Sequence, residues 1–378
     1  MLRPIHALRL TALAGFIATC TAAHADRVAT PNARRDVDLV IALDVSGSME
    51  GLIESAKQRL WDITNELAQA RPLPALRVAV LTYGKPSYGE QTGYVRIDLP
   101  FTADLDAVNA TLFSFQTDGG DEYVARAIQT SLHNLQWSQN PDALQVVFVA
   151  GNESAQQDPR LTIENATAEA ARRGIVVNAI YCGGDNDGDA AGWRQVASNT
   201  NGLYASINQQ AAAVANVATP FDEKLAQLND ELNETYVAFG SGGERGRENQ
   251  LLQDSNALAM SPAAAASRAV AKAGALYRSE WDVVDAVQSG KELADIPVVE
   301  LPAEMRALDA AERETYVREK TERRADVQRQ IGELAAERSR YIEEQRRQAD
   351  DGETGLDAAI LEGIREVAAS KGFSFDGE

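Results

Sequence analysis

Short apolar runs alternate along the first half of this chain with stretches whose apolar positions recur every third or fourth residue. The runs are Val37–Asp44, Leu76–Tyr83, Leu144–Ala150 and Ile175–Tyr181, with a weaker one at Gly202–Ile207. Runs of this kind mark strands covered on both faces, whereas Tyr94–Phe101 alternates enough to be an edge strand. Between them the spacing predicts helices over Leu52–Ala70, Leu105–Phe115, Tyr123–Trp137, Leu161–Arg173 and Trp193–Ser198. Ile53, Ala56, Leu60, Ile63 and Leu67 form the apolar stripe of the first, which Arg71-Pro72-Leu73-Pro74 stops; Gly174 caps the fourth. Strands alternating with helices predict an α/β fold with a doubly wound, mostly parallel, Rossmann-like sheet.

The strand signals end at Gln209. Helix is expected over Gln209–Phe239 with an interruption near Pro220, then a break at Gly240–Gly246. An Ala-rich helix should run from Leu251 to Val287, with a seam of Ala269, Ala273, Leu276 and Trp281; its Trp281 is expected to pack on the sheet domain. Pro297 and Pro302 mark a connector before a long charged helix, Glu304–Gln348. Val327, Ile331, Leu334 and Tyr341 are spaced 4-3-7 along it. That fits a short coiled-coil seam, which would make a homo-oligomer, and equally a helix packing back on its own domain. A break at Asp350–Gly355 precedes a last amphipathic helix, Leu356–Ala369, with Ile360, Ile364 and Val367 on one face. The expected organisation is a leader at 1–25, a lead-in at 26–35, the α/β domain at 36–219, a helical extension at 220–300, the long helix at 301–349 and the terminal helix and tail at 350–378.

The leader reading rests on Arg3 and Arg9, the apolar stretch Leu10–Thr19, and Ala23-His24-Ala25 as a cleavage pattern. The stretch is too short to span a bilayer comfortably, and no other segment resembles a transmembrane helix. The mature chain is therefore expected in the periplasm or secreted from a bacterium. A lipoprotein anchored through Cys20 is the lesser alternative, because Thr19 stands where a small Gly or Ala is usual. Formal net charge is −20, which argues against nucleic-acid and anionic-membrane partners. Once the leader is cut, Cys182 has no disulfide partner and His133 is the sole histidine, so a His-rich zinc site is excluded. Cys182 reads as a strand-end core residue and His133 as a helix-surface one.

The candidate chemistry sits at strand ends. Asp44-Val45-Ser46-Gly47-Ser48 places a carboxylate and two hydroxyls directly after a central strand and before a helix. Oxygen donors suit a hard cation, Mg²⁺ or Mn²⁺ first and Ca²⁺ second. This Asp-x-Ser-x-Ser loop resembles the metal-ion-dependent adhesion site (MIDAS) of von Willebrand factor A domains. The segments FVAGNES, IYCGG, GWRQVA, LNDELNETYVAFG, QDSNA and SEWDVVDA resemble exported bacterial A-domain proteins with a helical C-terminal region. The resemblance implies two further metal loops. Where the family has Gly-Gly-Thr, this chain has Gly119-Gly120-Asp121-Glu122; counting back from Ala127 puts Glu122 at the Thr position, with Thr117 the nearby hydroxyl. Where the family has Thr-Asp-Gly, this chain has Gly151-Asn152-Glu153. The metal candidates are thus Asp44, Ser46, Ser48, Thr117, Asp121, Glu122, Asn152 and Glu153. Asp185 and Asp187, in the acidic loop Gly183–Asp189, are candidates to extend the negative field.

The leading expectation is an exported protein-interaction module, not an enzyme. It would bind another envelope or extracellular protein when its metal accepts an acidic side chain of that partner. The alternatives are a metal-dependent phosphoester hydrolase using Asp121, Glu122 or Glu153 as base, and a structural helical scaffold with a degenerate A domain. The extra carboxylates predict a site tighter for its cation and less welcoming to an acidic ligand.

Overall fold

The structure is a computed structural model that describes residues 34–206, 218–349 and 356–375. Its elements in chain order are β1 (Arg35–Asp44), α1 (Glu50–Leu67), β2 (Ala70–Arg71), β3 (Pro74–Tyr83), β4 (Val95–Thr102), α2 (Leu105–Phe113), α3 (Val124–Asn134), β5 (Leu144–Gly151), α4 (Ile163–Arg172), β6 (Val176–Tyr181), α5 (Ala190–Ser198) and β7 (Tyr204–Ser206). There follow α6 (Asp222–Asn233), α7 (Gly243–Met260), α8 (Pro262–Ala273), α9 (Val283–Gln288), α10 (Ala303–Arg306), α11 (Ala310–Ala349), α12 (Leu356–Ser370) and β8 (Ser374–Phe375). The leader, the lead-in before residue 34, Cys20, Ile207, the expected start of helix at Gln209 and the Asp350–Gly355 break lie outside the described residues.

Six strands form one sheet in the order β4-β3-β1-β5-β6-β7, parallel except for β4, which runs antiparallel at the edge. β1 pairs with β3 on one side and β5 on the other, so the strand order reverses at β1. In an open α/β sheet a crevice opens at the carboxyl ends at such a point. Burial of both faces explains the unbroken apolar run of β1. Val37, Leu39 and Leu43 point into one core with α1 and α2, and Val40 and Ala42 into the other with α3, α4 and α5.

The helical half adds a layer over α1 and α2. Leu225, Leu228 and Leu232 of α6, Ala266 and Ala269 of α8 and Val327 and Ile331 of α11 join the first core. A smaller core gathers Val237, Phe239, Val283, Val284 and Met305. The long helix therefore packs back: Val327 and Ile331 are fully buried within the chain, and Tyr341 meets Phe221 edge to face at 6.3 Å. A coiled-coil seam through the same residues is corrected, because the apolar positions that would face a partner are already covered.

Four other expectations change. The Ala-rich helix is not continuous. Ser261 caps α8, accepting from Ala264 N at 3.0 Å with Pro262 at the first helical position, which ends α7 at Met260. The chain then leaves helix again before α9, and Trp281 lies in that gap, 5.8 Å from the Tyr236 ring and against Gly246. Helix also does not reach Phe239; Ala238 makes an antiparallel bridge with Asp282 instead. Finally, strand pairing does not end with the sheet, since β8 pairs antiparallel with β2. The long helix starts later than Glu304 because Asp309 and Glu312 cap each other's backbone N–H groups, at 2.8 and 2.9 Å.

Candidate functional site

β1 delivers Asp44 to the reversal point of the sheet, with its side chain fully buried. Its Oδ1 accepts from the Ser46 backbone N–H at 2.7 Å, which turns the chain sharply after the strand. The Ser46 and Ser48 hydroxyls then lie 3.2 Å apart. Ser48 Oγ donates to Asn152 Oδ1 at 3.1 Å, joining the loop after β1 to the loop after β5. The loop before α3 is tied in by Asp118 N, which donates to Val45 O at 2.9 Å. Three loops thus meet above one strand end.

Glu122 completes the centre. It is 3% exposed, and its carboxyl shares hydrogen-bonding contact with the side chains of Asp44 and Ser46. Burial first, and the Asp44 carboxyl next, push Glu122 up to about 9. Burial also raises Asp44, against the hydrogen bonds from Glu122 and Ser46 that lower it. Two carboxyls can bond only if one carries a proton, and Asp44 Oδ2 meets no donor among the described residues. Tyr83 lies beside the pair and donates its hydroxyl to Ala150 O at 2.8 Å; burial, then Asp44 and Glu122, raise it well above the usual phenol range. Cys182 is buried nearby, and its thiol is raised by burial and then by Asp44. It is a core residue at the end of β6, as expected, with no sign of nucleophile activation.

The remaining candidates separate. Glu153 is exposed; it adds charge near Asp44 and Glu122, but its Oε2 accepts from Gln157 Nε2 at 2.8 Å. Gln157 also accepts from Glu122 N at 3.1 Å, so it links the second and third loops, a role no local pattern announces. Asp121 is exposed and in hydrogen-bonding contact with the Tyr94 hydroxyl, and its charge also acts on Tyr123, whose ring meets that of Tyr94 edge to face at 5.4 Å. Thr117 is half-buried and makes no side-chain hydrogen bond among the described residues. Asp185 pairs with Arg194 at 2.6 Å, and Asp187 accepts from Gly184 N at 2.6 Å, so both stabilise their own loop. His133 lies in the last turn of α3, 2.6 Å from Glu169.

Gly84 is the residue that composition and pattern missed. It follows β3 with φ +90°, and a Cβ there would stand 2.7 Å from Asp44 Oδ1 and 3.3 Å from Glu122 Cγ. A side chain would fill the centre of the site, and the left-handed backbone also favours glycine. The signal was present as a glycine just past a buried strand.

The sequence profile of the von Willebrand factor type A domain matches residues 38–220. Residues 38–220 are a von Willebrand factor type A domain. Domains of this family generally mediate protein–protein interaction and often carry a divalent metal at the MIDAS. The A domain here is similar in structure to an aerotolerance-related membrane protein of Bacteroides fragilis NCTC 9343, with 17% identity, TM-score 0.32, and 47% of this chain and 94% of that chain covered. A von Willebrand factor type A structure from Catenulispora acidiphila gives 16% identity, TM-score 0.37, and coverage of 47% and 40%. Proximal thread matrix protein 1 from the mussel byssus, solved with a zinc-occupied MIDAS motif, gives 12%, 0.37, and 47% and 43%. This chain spans less than half the length of the last two. No curated protein matches the sequence.

The residues of this A domain fit a divalent cation. A buried carboxylate oxygen without a donor, a second carboxyl forced beside it and two hydroxyls at the same strand end form a hard-oxygen donor set. Among the described residues no group of three or more His, Cys, Asp or Glu side chains is placed to hold a metal, so the ligand set has to be mixed, as in the family.

Proposed function

We propose that this protein is an exported interaction module that captures a partner protein through a divalent cation held by Asp44, Ser46 and Ser48, with Glu122 and Asn152 beside them. The observation that carries the reading is the buried Asp44–Glu122 pair: two carboxyls share one pocket, and Asp44 Oδ2 has no donor among the described residues. A cation taking the place of the shared proton would relieve that burden, and Mg²⁺ or Mn²⁺ suits the oxygen set. When bound, the cation supplies an electrophilic position that an acidic side chain of the partner can occupy. Asp44 is held in one orientation by Ser46 N, and Ser48 by Asn152, so the chain's own residues present the site without rearrangement.

Glu122 makes the site more anionic than a hydroxyl would. The partner's carboxylate therefore meets a less positive ion, which favours tight metal binding and selective partner binding. Export is supported by the charged start and apolar stretch of residues 3–19 with Ala23-His24-Ala25. No helix among the described residues is long and apolar enough to cross a membrane. Calorimetric titration of the chelated protein with Mg²⁺ and Mn²⁺ tests the reading, paired with capture from envelope extract with and without chelator. Wild type should bind the ion and capture a partner, and Asp44→Ala should lose both while staying folded. Absence of ion binding by wild type overturns the reading.

A further inference from the structure

The opposite end of the sheet carries a cavity of about 550 Å³. The first residues of β1 and β3 line it, with the segment between α3 and β5 and the turn after α8. Three guanidiniums reach it: Arg34, Arg77 and Arg278. Arg77 is committed, since its Nε and Nη2 each donate to Asp38 at 2.8 Å. Arg34 and Arg278 are exposed, and among the described residues neither makes an ion pair or hydrogen bond. Burial and then the charge of Arg278 pull Arg34 below the ordinary guanidinium range, so the two cations face each other.

Of the acids nearby, only Asp285 is paired with a cation. Asp36 Oδ2 accepts from Ser138 Oγ at 2.6 Å. Asp104 caps α2 through the N–H groups of Asp106 and Ala107, both at 3.0 Å. Asp285, which feels the charge of Arg278, accepts from Arg324 at 2.9 Å. Asp36, Asp104 and the exposed Glu280 make no ion pair among the described residues; of the three, Asp36 alone lines the cavity. Three arginines against one acid, Asp36, in the lining stand out in a chain of net charge −20. The wall between them is apolar, formed by Leu76, Trp137 and Leu276.

We propose that this cavity binds a small organic dianion, a phosphate monoester, whose oxygens bridge Arg34 and Arg278 while its apolar body rests on Leu76 and Leu276. Guanidinium forks match the spacing of phosphate oxygens, and the volume lies within the range of small-molecule sites, about 300–1,000 Å³. The site is independent of the metal loop, which lies at the other end of β1.

Phenyl phosphate and inorganic phosphate are the probes, titrated calorimetrically into the full chain in excess EDTA. Phenyl phosphate should bind more tightly than inorganic phosphate. Arg34→Gln and Arg278→Gln should each weaken it by about tenfold or more, and Asp44→Ala should leave it unchanged. No binding of phenyl phosphate at about 10 mM, or equal binding by wild type and both arginine variants, overturns the proposal. Equal affinity for the two probes overturns the role of the apolar wall. Because EDTA removes the metal, failure here is distinct from failure of the metal-dependent reading.

Discussion

Two of the clusters of buried charge among the described residues are built on opposite terms. In the first, Arg268 of α8 donates to Asp106 of α2 at 2.6 Å and to Asp254 of α7 at 2.7 Å, and Lys272 reaches Asp254 at 2.8 Å. Tyr277 donates to the other oxygen of Asp106 at 2.5 Å, and the Arg268 guanidinium lies 4.5 Å from the centre of the Trp61 ring. Every charge there has an opposite, and the cluster fastens the helical layer to the sheet domain. The second cluster, Asp44 with Glu122, holds two acids and no base. The difference separates structure from function. A charge network closed within the chain fixes how helices sit, while an unclosed one is left for something from outside.

The pairing in the first cluster also shows in its titration. Burial raises Asp254, but Lys272 and Arg268 outweigh it and hold the carboxyl at about 2. Burial wins for Lys272, which falls to about 8 despite Asp254. Asp254 faces two cations that together exceed its burial, whereas Asp254 and Asp106 do not offset the burial of Lys272 and the like charge of Arg268.

The comparison breaks most directly at Arg268. Arg268→Ala strands Asp106 in the interior and should cost about 3–5 kcal/mol of stability in chemical denaturation; a loss below about 1 kcal/mol would mean the network is not closed. Next in size is the acid response. Asp254 takes its proton at lower pH folded than unfolded, so its contribution, about 2 kcal/mol, is complete above the unfolded value and is lost as pH falls toward about 2. Denaturation across that range should show this slope in wild type and not in Asp254→Asn. In the chelated protein Glu122 should do the reverse, because its folded pKa is raised. Its contribution is present in acid and is lost as pH climbs toward about 9, a slope that Glu122→Gln should flatten.

Smaller still, Asp44→Asn should stabilise the chelated protein by about 1–2 kcal/mol while abolishing Mg²⁺ binding. Its sign opposes that of Arg268→Ala, and thermal melts in EDTA read it. The least change in stability, within about 0.5 kcal/mol, is expected for exposed Ser48→Ala. Calorimetry should nonetheless show weaker Mg²⁺ binding by that variant.

The sheet was legible because its signals are local. Each buried strand is a short apolar run, and Asp44, Ser46 and Ser48 are neighbours in sequence. Glu122 was reached by counting from Ala127, although the same count left Asp121 and Thr117 as equals; only the fold shows Asp121 in contact with the Tyr94 hydroxyl. Gln157 and Gly84 enter the site through distant turns. The Asp106–Arg268 pair joins residues 162 positions apart, so no window of sequence contains it. The break at Ser261-Pro262 was written locally, but the surrounding alanines continue the helical pattern and masked it.

The short β2–β8 pairing decides how the molecule presents itself. Arg35, the first residue of β1, donates to Lys371 O, and Ser374 pairs with Arg71 just past the end of α1. The two ends of the body therefore leave from one place, at the start of β1. Asp44 closes that strand, so the candidate metal loop stands about 30 Å away. Any tether joined before residue 34 or after residue 375 would meet the described body at the end of the sheet opposite the candidate cation loops.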